Sequence, residues 1–435
     1  MSDKNTSRRT DVEIMFDGAD ISSSIRNYFI SMTYLDSEDD ESDDLEIRVE
    51  DRDQVWLEKW LAKAVDAAAS PGGGTSGGNK TYTVTPKAGL NIRQGEGTET
   101  KKLGALTSGT EIKVASIENG WAKIEYNGAS AYVCANYIKE SGSSTATGSA
   151  STGMQIRASI IRQNWKSDGK DERLECGGFE LDSVEAAGPP SEIVFRAAAL
   201  SFKSSIRETS KSKSWEDYSL SGIAKEIASK NGMTCMFKSG YDPRYKRREQ
   251  SDQSDISFLR RLCKDAGLSL KATDQMLVIF DSAEYENKTP VMTIKRGDGS
   301  YTGWRLHVGN AATQYQSCRV SYNDPKTGKK IEAIEKAPDY DDEDGGNRQL
   351  EINAKVESVG EAKTLAKKRL RMANRYAKTA SFDMTGNPVL VAGVTVQLEN
   401  WGPWSGKYII SQARHEVGSG GYTTSIDIRR CLDGY

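Results

Sequence analysis

The segments Ala67-Ala-Ala-Ser-Pro-Gly-Gly-Gly-Thr-Ser-Gly-Gly78 and Ser141-Gly-Ser-Ser-Thr-Ala-Thr-Gly-Ser-Ala-Ser-Thr-Gly153 bracket a cassette, Lys80 to Glu140, and that bracketing decides how the rest of the chain divides. Gly/Ser chains of this kind bury too little apolar surface to offset their ordering entropy, so they are expected to behave as flexible tethers. Two tethers around one compact segment predict a small domain inserted into a host. The host is then Arg9 to Leu61 continued from Met154 to the end.

With 435 residues the chain is long enough for about three domains with sizeable cores. A net charge of −3 and a pI near 5.8 argue against a nucleic-acid partner held by bulk charge. Mean hydropathy of −0.62 and 28% charged residues fit a soluble protein. No apolar run approaches a membrane span, and Met1 to Thr10 has no apolar stretch of the kind a secretory signal needs, so neither membrane insertion nor Sec export is expected. Cys134, Cys176, Cys235, Cys263, Cys318 and Cys431 are scattered, with no C-x-x-C, and read as buried free thiols in a reducing compartment. His307 and His415 are the two histidines, which leaves little for a His-based metal site or a general base; no metal and no cofactor is expected.

Within the cassette, short alternating runs (Tyr82–Val84, Leu90–Arg93, Lys102–Leu106, Glu111–Val114, Trp121–Tyr126, Ala131–Val133) are punctuated by Gly89, Gly95, Gly97, Gly109, Gly120 and Gly128. Period-two alternation with frequent turns predicts a small barrel of short strands. Leu90-Asn-Ile-Arg-Gln-Gly-Glu-Gly97, Asn119-Gly-Trp121, Ala131-Tyr-Val133 and Asn136-Tyr-Ile138 make this segment resemble the bacterial SH3-like domain. Glu96 stands where that family usually has Pro, and Tyr132 where it usually has Trp. The resemblance implies a module that binds cell-wall peptide or glycan. Tyr82, Arg93, Trp121, Tyr132 and Tyr137 are then the candidate groove residues, because aromatic rings give rigid contact area with a polar tip. The competing reading places Leu90, Ile92, Trp121 and Tyr132 in the core.

In the host, Asp11 to Tyr34 alternates around Asp17-Gly18 and reads as strand, tight turn, strand. The acidic run Asp36-Ser-Glu-Asp-Asp-Glu-Ser-Asp-Asp44 reads as a solvated loop, since like charges this dense repel; a cation site is the lesser reading. Leu45–Val49 is a strand. Trp56, Leu57 and Trp60, at near-helical spacing, are expected to cap the end of a barrel. Strands resume at Met154–Ile161, Arg173–Cys176, Phe179–Val184 and Glu192–Ala197.

Farther on, Leu220, Ile223, Ala224, Ile227 and Ala228 form a helical stripe stopped by Gly232. Phe258, Leu259, Leu262, Cys263 and Ala266 form a second, opened by Ser254 or Asp255 and closed by Gly267. Strands Leu268–Lys271 and Met276–Phe280 follow. Thr302–Val308 and Gln314–Tyr322 are expected to start a last β-domain, with the acidic loop Asp339–Gly346 beyond them. Ser358-Val-Gly-Glu361 is a capping box. It opens a helix with Ala362, Leu365, Ala366, Leu370 and Ala373 on one face and Lys/Arg, read as a solvated or interface face, on the other. Thr379–Met384, Thr395–Leu398, Gly406–Ser411 and Tyr422–Ile428 close the chain as strands, with His415 read as a packing residue.

Asp44-Leu-Glu-Ile-Arg-Val-Glu-Asp-Arg-Asp-Gln-Val-Trp56, Cys176-Gly-Gly-Phe-Glu-Leu-Asp-Ser-Val-Glu-Ala-Ala-Gly-Pro-Pro190, the stretch from Tyr241 to Arg260, and Gly406-Lys-Tyr-Ile-Ile-Ser-Gln-Ala-Arg-His415 carry a second resemblance. It is to the late control gene D family of contractile-tailed phages, the baseplate hub. The resemblance implies an α+β multidomain fold: two related β-barrel hub domains, an α/β middle domain and the inserted small SH3-like β-barrel. The expected boundaries are 1–66 plus 154–207 for the first hub barrel and 301–435, with a helix over 358–376, for the second. The middle domain is expected at 208–300 and the insert at 80–140, between linkers 67–79 and 141–153. The resemblance further implies a homotrimer in the baseplate of a contractile phage tail or of a tail-like injection particle, a virion tail baseplate in the first case, assembled in the bacterial cytoplasm. Two similar domains per chain, three times over, would seat a sixfold tail tube protein on one side and a threefold central spike protein on the other, beside other baseplate proteins. Peptidoglycan is the candidate partner of the insert.

The rival is a cell-wall-binding peptidoglycan hydrolase. A cysteine peptidase would need a Cys beside an oriented His, and a glycan hydrolase needs a carboxylate pair whose separation sequence does not reveal. No phosphate loop, zinc motif or nucleophile elbow appears. The expectation is that the chain is not an enzyme.

Overall fold

The computed structural model describes residues 7–16, 19–39, 42–54, 80–84, 90–95, 97, 100–107, 109–118, 121–126, 129–134, 137–140, 154–199, 205–273, 276–309, 314–323, 328–338, 340 and 347–434. The turn Asp17-Gly18, the Trp56, Leu57 and Trp60 group, both Gly/Ser linkers and most of the acidic loop Asp339–Gly346 lie outside them. The chain forms two compact units, Met1–Glu58 with Ser149–Tyr435, and Lys59–Gly148.

The larger unit begins with β1 (Arg9–Phe16), β2 (Ala19–Asp20), one helical turn α1 (Ser22–Ile25), β3 (Phe29–Ser37) and β4 (Asp44–Glu50). The hairpin expected over Asp11–Tyr34 is reduced to β1 and the two residues of β2. The reason is local: Ile21 and Ile25 are four apart, the spacing of one face of a helical turn, and both are buried there. Ser22 Oγ accepts from the Ile14 N–H at 2.9 Å and holds that turn against β1.

In the smaller unit, β5 (Lys80–Val84), β6 (Leu90–Arg93), β7 (Lys102–Leu106), β8 (Glu111–Glu118), β9 (Trp121–Tyr126), β10 (Ala129–Cys134) and β11 (Ile138–Glu140) lie in the order β11-β5-β8-β9-β10-β6-β7. Alternate residues Leu90, Ile92, Ala122, Ile124, Ala131 and Val133 fill its core.

The larger unit resumes with β12 (Gln155–Gln163), β13 (Asp171–Ala187) and β14 (Glu192–Ala198). The α/β section follows: α2 (Ser205–Glu208), β15 (Lys211–Ser219), α3 (Leu220–Lys230), β16 (Thr234–Lys238), β17 (Arg244–Gln253), α4 (Asp255–Ala266), β18 (Ser269–Thr273), β19 (Met276–Phe280) and α5 (Ser282–Glu286). Both longer helices obey their sequence signals. Ser219 Oγ accepts from the Gly222 N–H and Ser254 Oγ from the Ser257 N–H, and the apolar stripes of both are buried. Gly267 ends α4 in the left-handed region at φ +68°.

Last come β20 (Met292–Lys295), β21 (Gly303–Val308), β22 (Ser317–Asn323), β23 (Lys330–Lys336), β24 (Gln349–Asn353), α6 (Val359–Asn374), β25 (Lys378–Thr385), β26 (Thr395–Glu399), β27 (Gly406–Gly418) and β28 (Gly421–Arg430). Gln314–Tyr322 does not join the last β-domain as expected. As β22 it pairs with β23 and β24 in a separate sheet, on which Ala362, Leu365, Ala366 and Leu370 of α6 pack. Cys318 and Val320, buried under that helix, explain the choice: their apolar face needs a helix, not the second sheet.

The remaining strands form one thirteen-stranded sheet built of two sets of six, with the short β2 added beyond β1. In chain order the first set is β1, β3, β4, β12, β13, β14 and the second is β20, β21, β25, β26, β27, β28. Both sets lie side by side in the same order: first, fourth, fifth, sixth, third, second. The pairings fourth–fifth, fifth–sixth, sixth–third and third–second are antiparallel in both. The first–fourth pairing is antiparallel in one set and parallel in the other. Even an irregularity is shared. β13 bulges between Leu181 and Ser183, and β27 between Ile410 and Ser411's far neighbour Gln412; two residues before the latter member of each bulge, Leu181 and Ile410 still pair in register. The pairing of the fourth strand of each set stops one residue earlier, opposite Glu180 of β13 and Ile409 of β27.

Among the described residues no pairing joins β1 to β3 or β20 to β21, so the structure shows open sheets where the sequence reading expected closed barrels. β3 spends its outer edge on β27 instead. β27 is long enough to serve two neighbours along one edge: β26 over its first residues and β3 over Gln412–Gly418.

Candidate functional site

The join between the two sets brings together a buried ring stack and buried ion pairs. Tyr34 lies opposite His415 in the β3–β27 ladder, and their rings stack at 6.0 Å. His415 is fully buried. Its Nε2–H donates to the Leu390 carbonyl at 3.0 Å, which leaves Nδ1 to accept from the Tyr422 hydroxyl at 2.8 Å. Burial pushes its pKa down to about 4, so the ring is neutral and satisfied on both sides. It packs, as the sequence reading expected.

The acidic run does not behave as the solvated loop expected. Asp36, Glu38, Asp39 and Asp43 are all buried. Between them they reach three cations, Arg429, Arg375 and Lys271. Glu38 accepts from Arg429 of β28 at 2.6 and 3.0 Å, and the Glu38 N–H donates to the Ser411 carbonyl. Arg429 also donates to Glu286 at the end of α5 at 2.6 Å, and Glu286 in turn takes Arg371 of α6 and the Leu432 N–H. Asp39 accepts from Arg375 at 2.6 Å and from Ser269 Oγ at 2.5 Å. Asp36 accepts from Lys271 of β18 at 2.6 Å and from the Ala392 N–H at 2.8 Å, and Asp43 sits 3.2 Å from the same lysine.

Burial works against the charges on Arg429 and Lys271, but the facing carboxylates more than offset it, and both cations are held above their ordinary pKa. Burial pushes the Asp43 carboxyl up to about 6 despite Lys271. The electrostatic reason for the correction is that repulsion within the run is outweighed by cations supplied from three distant segments. α6 presents a matching face: Lys368 pairs with Asp281, and Arg371 and Arg375 complete the network, so these three make part of its basic side an internal interface, while Lys363 and Lys367 stay exposed. Sequence reasoning missed these partners. The available signal was a carboxylate run between two apolar strands in a chain that also carries a one-sided basic helix.

The register of the smaller unit separates the five candidate groove residues. Arg93 and Tyr132 lie opposite each other on β6 and β10, Tyr132 is opposite Lys123, and Trp121 is opposite Cys134. Arg93, Trp121 and Tyr132 therefore share the face pointing away from Ile92, Ala122 and Val133, and all three are half-buried. The Arg93 guanidinium is held by the Thr100 carbonyl at 2.7 Å. Tyr82 lies opposite Ile112 and packs against the core, apart from the other three. Tyr137, 51% exposed, precedes β11.

All six cysteines are free thiols. Cys176 is buried and burial pushes its thiol pKa up, so it does not supply a thiolate. Among the described residues no group of three or more His, Cys, Asp or Glu could hold a metal ion, and no helix is long and apolar enough to cross a membrane.

Fold and site define a class: an α+β multidomain protein whose two similar strand sets share one sheet, locked by buried ion pairs, with a small all-β insert. Residues 197–421, just over half of the chain, match the family described as phage tail baseplate hub (GPD), and residues 88–139 match the bacterial SH3 domain. The chain belongs to the phage tail baseplate hub (GPD) family and carries an inserted SH3-like domain.

It is similar to the probable baseplate hub protein of Escherichia phage 186, 27% identical over 173 residues, covering 38% of this chain and 43% of that protein. A tail protein of Neisseria meningitidis has a similar fold, with a TM-score of 0.57 at 10% identity over 98% of this chain and 97% of that one. A stretch of 108 residues is 30% identical to the putative N-acetylmuramoyl-L-alanine amidase YrvJ of Bacillus subtilis, covering 25% of this chain and 20% of that protein. The chain thus spans less than half the length of these curated relatives. The amidase similarity overturns the expectation that the chain is not an enzyme. That expectation rested on missing short motifs, and hydrolases whose catalytic groups come from distant segments leave no such motif.

Proposed function

We propose that the chain is a structural hub of a contractile tail baseplate or tail-like injection particle. Three copies close a ring of six similar strand sets, which receives a sixfold tail tube on one side and a threefold spike on the other. The observation that supports this reading is the repeated strand order with its shared bulge: two near-equivalent units per chain turn threefold symmetry into six comparable seats. Light scattering over a range of concentrations tests it. A particle of three chains, alone or with tube and spike proteins added, is the expected result; a concentration-independent single chain under both conditions contradicts it.

In the same reading the SH3-like insert contacts peptidoglycan through the face carrying Arg93, Trp121 and Tyr132. Retention on purified peptidoglycan should fall for Trp121→Ala, and equal retention of variant and wild type removes the groove. A second reading, a peptidoglycan-cleaving activity in the same chain, is favoured by the amidase similarity. Clearing of a peptidoglycan-containing gel by the purified chain supports it, and an unchanged gel beside an active control amidase removes it.

A further inference from the structure

The two sets are joined inside one chain by a junction that has an unused counterpart. Superposing their registers by the shared bulge makes Ser183 equivalent to Gln412, Val184 to Ala413, Glu185 to Arg414 and Ala186 to His415. Carried across β14 and β4 on one side and β28 and β25 on the other, the same registers make β21 equivalent to β3. Met32 then corresponds to Trp304, Tyr34 to Leu306, Leu35 to His307 and Asp36 to Val308.

In the first set the second strand, β3, is covered by the second half of β27. In the second set the second strand, β21, pairs only with β25 among the described residues. The second half of β13 pairs only with β14, on the edge opposite to β12. Each is one half of the junction without the other.

Burial tells the same story. Met32 and Asp36 are 0% and 5% exposed, while their counterparts Trp304 and Val308 are 49% and 41% exposed. Ala413 and His415 are fully buried, while Val184 is half-buried and Ala186 exposed. An uncovered edge carrying Trp and Val is a template for another strand.

We infer that β21 of one copy adds antiparallel to Ser183–Ala187 of β13 in a neighbouring copy, with Val308 opposite Val184 and Leu306 opposite Ala186. The occupant is a second copy of this chain because the surface that fits β21 is already present, as β27, inside the chain itself. Polarity agrees: the register sets His307 opposite Glu185, and the cation Arg305, two residues along on the same face, lies diagonal to that carboxylate. The join runs head to tail, so it propagates and closes after a whole number of copies. The inference rests on the three-copy ring proposed above and adds its interface.

Directly opposed residues of an antiparallel pair lie within disulfide reach. A chain carrying Val184→Cys with Val308→Cys, oxidised at the ring-forming concentration, should shift on a non-reducing gel from the 47.7 kDa chain to a three-chain species. Each single variant, and Val184→Cys with His307→Cys, whose side chain faces the other way, should stay at the single-chain position. A trimer by light scattering with no crosslink in the double variant overturns this interface and leaves the ring standing. A single chain by scattering with no crosslink overturns both.

Discussion

At the residue scale the account turns on charges that sequence reading places in water and the fold places in the interior. Glu38 and Arg429 are 391 positions apart and both fully or almost fully buried. Removing one member strands the other in a poorly solvating place, so Glu38→Gln or Arg429→Met should each cost about 3–5 kcal/mol in denaturant unfolding, whereas the double variant should recover part of the loss. Equal losses that simply add would mean the pair does not act as a unit.

His415 gives the pH dependence. Its folded pKa lies below its unfolded value, so its contribution is complete above about 6.5 and is lost as pH falls through about 4, up to about 3 kcal/mol. Asp43 runs the other way: with a folded pKa raised to about 6, its carboxyl favours the fold most below its unfolded value and loses that contribution as pH rises through 6. The two oppose each other, so the informative quantity is a difference. Between pH 7 and pH 4, wild type should lose more thermal stability than His415→Gln, and parallel losses would refute the assignment to this ring.

At the element scale, what the sequence made legible was local. Ser254 and Gly267 bound α4 because a cap and a left-handed stop act within a few residues. Ser358 caps α6 by accepting from the Glu361 N–H at 3.1 Å, although Glu361 reaches back to the Glu357 N–H, one residue before the usual partner. What was illegible was the choice of partner. Nothing near Gln314–Tyr322 says that it pairs under α6, and nothing near Asp36–Asp44 names Lys271, Arg375 or Arg429. The groove residues divide for the same reason: Tyr82 and Tyr132 look alike in sequence, and only the register puts one against the core and the other on the far face. Gly267 also shows where a local signal carries a distant constraint. A Cβ there would lie 2.6 Å from the Lys368 Cβ, at a positive φ. Gly267→Ala should therefore cost more than about 1 kcal/mol, read as a fall in melting temperature, while a neutral result would mean α4 and α6 are not held at this spacing.

At the scale of the whole molecule, the two strand sets are alike in order, in four of five pairing senses and in the place of a bulge, and they meet through one ladder rather than across a cleft. A sequence can show that both ends of a chain are rich in strands. It does not show which edge each strand offers, and so the expected closed barrels become open sheets, one edge of which is already covered within the chain. The buried network of Asp36, Glu38 and Asp39 ties that covered edge to the α/β section and to α6, so the unit should unfold in a single transition. Two separated transitions in calorimetry would mean the sets are independently stable.

The most direct test of the central claim, that two similar sets per chain let three chains stand in for six, is electron microscopy of the isolated assembly viewed down its axis. A ring of three chains that looks sixfold at low resolution and resolves to threefold, with the two sets alternating at matching radius, is the predicted result. A ring whose two sets lie at different radii, or an assembly of any other copy number, would contradict it.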